Sequence, residues 1–168
     1  VFAAAPGFDP GAIRRVELGV NPLCLVLCDR PAPQDAQRAQ VSLQHWAAAA
    51  LTRGKAGIAE GSDAAVADPA ILATRAKIAA MPDESVGRDG AVVRVFMTDG
   101  TEHARRIEHG VGSLEQPITN TQLDAKFLDQ ARLSLPDAAA REALALCRRL
   151  PDLDDAGAVA RAAQAGAA

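Results

Sequence analysis

Aromatic residues are scarce in this 168-residue chain: Phe2, Phe8, Trp46, Phe96 and Phe127 are the whole set. With a hydrophobic content of 49%, any core must be packed by alanine and the aliphatics. The chain is nonetheless long enough for a core, since a domain of this size buries roughly 70% of the surface its unfolded form exposes. Basic charge is not in excess either. A net charge of −3 gives no reason to expect nucleic acid, which favours clustered basic faces. No apolar run approaches the roughly 18 residues of a membrane-spanning helix.

Cysteine is equally sparse. Cys24, Cys28 and Cys147 are an odd set, and without a secretory signal they point to a reducing, cytoplasmic compartment. On a strand, Cys24 and Cys28 would stand roughly 13 Å apart, beyond disulfide reach. On a helix they would be neighbours, but no Cys-x-x-Cys or second ligand pair completes a zinc pattern. Neither a metal nor a cofactor is expected. The opening Val1-Phe2-Ala3-Ala4-Ala5-Pro6-Gly7 lacks a basic leader and an apolar h-region, and reads as an interior start.

What the chain does have is a well-marked stretch from Ala91 to Phe127. Val93, Val95 and Met97 alternate with Val92, Arg94 and Phe96, and Asp99-Gly100 is the dipeptide a two-residue type I′ hairpin prefers. A two-residue loop would set Phe96 against His103, Val95 against Ala104, Arg94 against Arg105 and Val92 against Ile107. The first strand is then apolar on both faces, as an inner strand covered on both sides, and the second is half solvated. His109-Gly110-Val111-Gly112-Ser113 follows as a glycine turn that falls short of a dinucleotide fingerprint. Thr119-Asn120-Thr121-Gln122 forms a capping box for a helix carrying Leu123, Phe127 and Ala131 at helical spacing.

Upstream, Ile13 to Val20 alternates as a strand, and Leu23 to Cys28 is apolar on every face and expected to be buried, as strand or short helix. Gln34 to Arg53 is helical up to the C-cap glycine Gly54, with Val41, His45, Ala48, Ala49 and Thr52 on one stripe. Ser62-Asp63 and Asp68-Pro69 open two short helical turns. Ile78 to Met81 extends a strand before Pro82, and Asp83 to Gly90 is a solvated loop. The C-terminal portion is helical, opened by Ser134-Leu135-Pro136-Asp137, stopped at Pro151, and closed by an alanine-rich segment that depends on packing. The fold class is therefore α+β: a small antiparallel sheet with packed helices over residues 1–117, then C-terminal helices over 118–168.

The ordered series resembles the C-terminal part of the MmgE/PrpD family. It comprises a helix with Ser42-Leu43-Gln44-His45, an acidic-proline helix, the Asp-Gly hairpin, and Gly112-Ser113-Leu114-Glu115-Gln116-Pro117-Ile118-Thr119 running into Leu123-Asp124-Ala125-Lys126-Phe127. That family includes 2-methylcitrate dehydratase, cis-aconitate decarboxylase and iminodisuccinate epimerase. The resemblance implies a smaller α+β lid closing over a helical domain that holds the catalytic residues, so no catalytic residue is carried over to this chain. It further implies a cofactor-independent lyase or epimerase acting on small di- or tricarboxylates. The partners it implies are the helical catalytic domain, a polycarboxylate ligand and a second copy of the chain.

Several residues are candidates for facing a ligand. Ser42 and His45, three apart on a helix, invite a nucleophile-and-base reading, but no oxyanion hole or orienting acid is legible nearby, and a structural His45 is favoured. Gln40 and Val41 stand where the resembled helix usually carries lysine and phenylalanine. Arg94 and Arg105, opposed on the two-residue hairpin, would need a carboxylate between them, which bidentate recognition of a polycarboxylate would supply. The competing reading splays both into water beside Glu17 or Glu108. His109, with Gly112 and Ser113 of the glycine loop, is the better candidate for approaching a ligand.

Overall fold

The computed structural model describes residues 7–164, so the Val1–Pro6 stretch and its reading as an interior start lie outside the described residues. The chain divides into two compact units, Val1–Gln116 and Pro117–Ala168. The first is built on a sheet of order β2-β1-β3-β4, with β1 at Ile13–Val20, β2 at Ile78–Pro82, β3 at Ala91–Met97 and β4 at Glu102–Ile107. β3 runs antiparallel to β1 and β4, whereas β1 and β2 are parallel, with Val16 opposite Ile78 and Leu18 opposite Ala80. The class is α+β as expected. The sheet is mixed, because the helices between β1 and β2 form the crossover that parallel strands require.

Alternation decides which face is covered. Val16, Leu18 and Val20 of β1 share the core with Ile78, Val95 and Met97. Over them lie α3 (Leu43–Arg53) and α5 (Pro69–Arg75), contributing the fully buried Ala48, Ala49 and Ile71. The opposite face carries Arg15, Glu17, Arg94 and Phe96, none of them buried, so within this unit β3 is an inner strand buried on one face rather than on both. On that open face the Arg15 guanidinium lies 3.6 Å above the centre of the Phe96 ring, the geometry of a cation–π contact.

Leu23 to Cys28 belongs to a short helix, α1 (Pro22–Cys28), capped by the Asn21 side chain, which accepts from the Leu23 N–H. It is not buried as expected. A helix against a sheet can hide one stripe, so Cys24 and Leu25 join the core while Val26 and Leu27 remain 72% and 58% exposed. The long helix expected over 34–53 is interrupted. Asp35 caps α2 (Ala36–Ala39), and the chain restarts at Ser42, which caps α3. Gly54 ends α3 in the left-handed conformation, as its position predicted. The two short turns are α4 (Asp63–Val66) and α5, capped by Ser62 and Asp68.

In the second unit, α6 (Asn120–Ala131) opens with the reciprocal Thr119 and Gln122 capping box. α7 (Asp137–Arg148) starts after Pro136 without a side-chain cap bond, and α8 spans Gly157–Ala162. Arg148 ties α7 to α6 through Asp124 and through the side-chain and backbone oxygens of Asn120, both at 3.0 Å. Among the described residues, no helix is long and apolar enough to cross a membrane.

Candidate functional site

Ser42 and His45 do not form a nucleophile and base. The Ser42 hydroxyl donates to the Arg30 carbonyl at 2.6 Å and accepts from the His45 backbone N–H at 3.0 Å, which is N-cap geometry. The His45 imidazole is fully buried, with Nε2 2.7 Å from the Glu60 carbonyl and Nδ1 3.5 Å from an Arg75 guanidinium nitrogen. A carbonyl only accepts, so Nε2 carries the proton and the Nδ1 lone pair faces Arg75. Burial holds the Arg75 guanidinium below its ordinary value. Neither side chain presents surface to a substrate.

Arg94 and Arg105 are separated as well. The hairpin turns on Thr98, Asp99 and Gly100, with the Met97 N–H donating to the Thr101 carbonyl at 2.8 Å and Gly100 at φ +90°. This loop shifts the register by one residue, so Arg94 lies opposite Ala104 and Arg105 opposite Val93. Successive strand residues point to opposite faces. Arg94 therefore stands on the open face beside Glu17, and Arg105 on the helix-covered side, with no carboxylate shared between them. Arg94 borders a shallow cavity of about 370 Å³ that also contains Glu17, Asp83 and Glu84. The Asp83 carboxyl is held low chiefly by hydrogen bonds from Ser85, with Arg106 and Arg94 adding attraction.

The remaining candidate, His109, sits in a built constellation at the end of β4. Its Nδ1 is 3.1 Å from the Asp89 carboxylate and 3.9 Å from that of Glu115. Two loops supply these groups. The Asp89 loop packs against the end of β4 because Gly90 has no Cβ: one placed there would meet the Ile107 and Glu108 carbonyl oxygens at 2.9 Å. Arg106 clasps the same loop, donating to the Ser85 carbonyl at 2.7 Å and to Glu108 at 2.6 Å. The second loop folds back on itself. The Gly112 N–H donates to the Gln116 carbonyl at 2.7 Å and the Gln116 N–H to the Ser113 hydroxyl at 3.1 Å, with Gly112 at φ +99°. Gly112 and Ser113 therefore shape the turn that returns Glu115 toward His109.

The hydrogen bond from His109 holds the Asp89 carboxyl below the usual carboxylate range, and Arg106 does the same for Glu108. A cavity of about 520 Å³ adjoins the cluster, bordered by Arg105, Glu108, His109, Val111 and Glu115. Asp89, His109 and Glu115 place three potential ligand atoms within 4.8 Å of one another. Asp89 and Glu115 were not legible as partners of His109, because the sequence shows only a solvated loop and a glycine turn. Their one local signal is the glycine that follows Asp89 and allows the close approach.

No curated protein matches the chain. The family model described as the MmgE/PrpD C-terminal domain matches residues 3–151, which spans the whole sheet, its covering helices, the His109 loop and α6 and α7. With nearly the full length matched in this order, the chain belongs to the MmgE/PrpD C-terminal domain family.

Proposed function

We propose that this chain is the C-terminal lid portion of an MmgE/PrpD-like lyase or isomerase acting on small di- or tricarboxylates in the cytoplasm. Dehydration, decarboxylation and epimerisation in such an enzyme share proton abstraction next to a carboxylate, which needs a base of tuned pKa and an acid opposite it. The family match over residues 3–151 carries the reading. The buried, structurally committed His45 and Ser42 are consistent with it, since they leave the proton-transfer work to a helical catalytic domain outside these residues. The lid would exclude water and complete the pocket on closure.

Apolar surface supports a partner. An apolar groove of about 280 Å³ runs between the sheet and the helices, bordered by Leu18, Cys28, Val41, Trp46 and Val93. With Val26 and Leu27 of α1 also exposed, such surface suits an interface. The same surface favours a second reading, a non-catalytic module that pairs with another copy of itself. Mixing the purified chain with a helical domain of the family and assaying dehydratase, decarboxylase and epimerase turnover separates the two. Restored turnover supports the lid. Tight homodimers indifferent to the helical domain support the module, and turnover by the chain alone sinks both.

A further inference from the structure

We propose that Asp89, His109 and Glu115 form a binding site for a borderline divalent cation of the Zn²⁺ type. The donors come from separate loops that their own backbone contacts bring together: Asp89 ahead of β3, and His109 with Glu115 beyond β4. The spacing is close to what such an ion needs. Ligands at about 2.0–2.2 Å around a tetrahedral ion stand roughly 3.3–3.6 Å from one another. His109 Nδ1 already lies 3.1 Å from Asp89 and 3.9 Å from Glu115. The third pair, Asp89 with Glu115, lies within 4.8 Å, so side-chain movement of about 1 Å brings the set to tetrahedral spacing, and Glu115 is the most exposed of the three side chains, at 55%.

The donor chemistry narrows the ion. One imidazole with two carboxylates is unlike the all-oxygen shells of Mg²⁺ and Ca²⁺, and without thiolate it does not select soft ions such as Cu(I). Two carboxylates beside a neutral imidazole also balance a divalent charge. An ion pair alone explains the arrangement poorly, because Glu115 sits too far from His109 for a hydrogen bond, and exposed ion pairs contribute little. Three protein ligands leave a coordination position for water or a carboxylate, and two of them, His109 and Glu115, also border the adjoining cavity. This inference needs no catalytic partner, so it stands or falls independently of the lid reading.

The test is calorimetric titration of the untagged, chelator-treated full chain with Zn²⁺, and optical titration with Co²⁺. The expected result is one equivalent bound per chain below about 1 mM, with visible Co²⁺ bands. His109→Ala, Asp89→Asn and Glu115→Gln should each weaken binding by about tenfold or more. His103→Ala should leave it unchanged. Circular dichroism establishes that each variant is folded, as expected for exposed positions. Absence of binding at millimolar Zn²⁺ overturns the proposal, as does binding that survives His109→Ala. Loss of binding in Cys24→Ser with Cys28→Ser, rather than in the His109 variant, would likewise overturn it by placing the ion on thiolates.

Discussion

Asp68 does two jobs with one carboxylate. It caps α5, accepting from the Ala70 and Ile71 N–H groups at 2.8 and 3.4 Å, and it receives the Arg53 guanidinium from the end of α3 at 2.6 Å. Those partners hold its carboxyl below the ordinary range, Arg53 first. A depressed folded value means that the ionised form stabilises the fold. The contribution is therefore complete at neutral pH and is lost as pH falls through the depressed value, below the ordinary carboxylate range. Asp68→Ala should lower the urea midpoint at pH 7, and the gap between variant and parent should shrink at pH 3; a gap that grows on acidification would contradict this. Asp68-Pro69 was legible because capping is local chemistry. Ser42 and His45 were ambiguous for the opposite reason. Their spacing of three suits either a cap or a catalytic pair, and only the burial supplied by Arg30, Glu60 and Arg75 decides between them.

Elements whose ends are marked by such residues emerge where the sequence indicates: β1 by its alternation, α4 and α5 by their caps, α6 by its capping box. The hairpin shows what local signals leave open. Asp99-Gly100 serves a two-residue turn or a three-residue loop with glycine in the left-handed position, and the two differ by one residue of register. One residue is enough to move every side chain to the other face, which is why Arg94 and Arg105 part company. Gly100, at φ +90°, takes the left-handed position of the three-residue loop, and a Cβ there meets open space, so backbone strain alone opposes substitution. Gly100→Ala should destabilise the first unit by about 1–2 kcal/mol, and Gly100→Asn by less, since asparagine tolerates this region. Equal stability of Gly100→Ala and the parent in chemical denaturation would contradict a left-handed Gly100.

At the level of the whole molecule, the two units differ in how much they bury. Val1–Gln116 holds the core of Val16, Leu18, Val95 and Ile71 beneath α3 and α5. In Pro117–Ala168, among the described residues, only Ala140 and Ala143 are buried hydrophobics, and Leu123, Phe127 and Leu144 border an apolar hollow of about 250 Å³. Short helices draw their stability from packing rather than propensity, and a unit with so small a core has little to draw on. Its best-defined tie is polar: Arg148 of α7 on Asp124 and Asn120 of α6. Calorimetry of the full chain should therefore show unfolding that is not two-state, with a lower transition from the helical unit and an upper one from the sheet unit. Arg148→Ala should move the lower transition down and leave the upper in place, while Val95→Ala should do the reverse. A single transition, with calorimetric and van't Hoff enthalpies equal and both variants shifting it alike, would mean that the helical unit draws its stability from the sheet unit's core rather than from its own contacts.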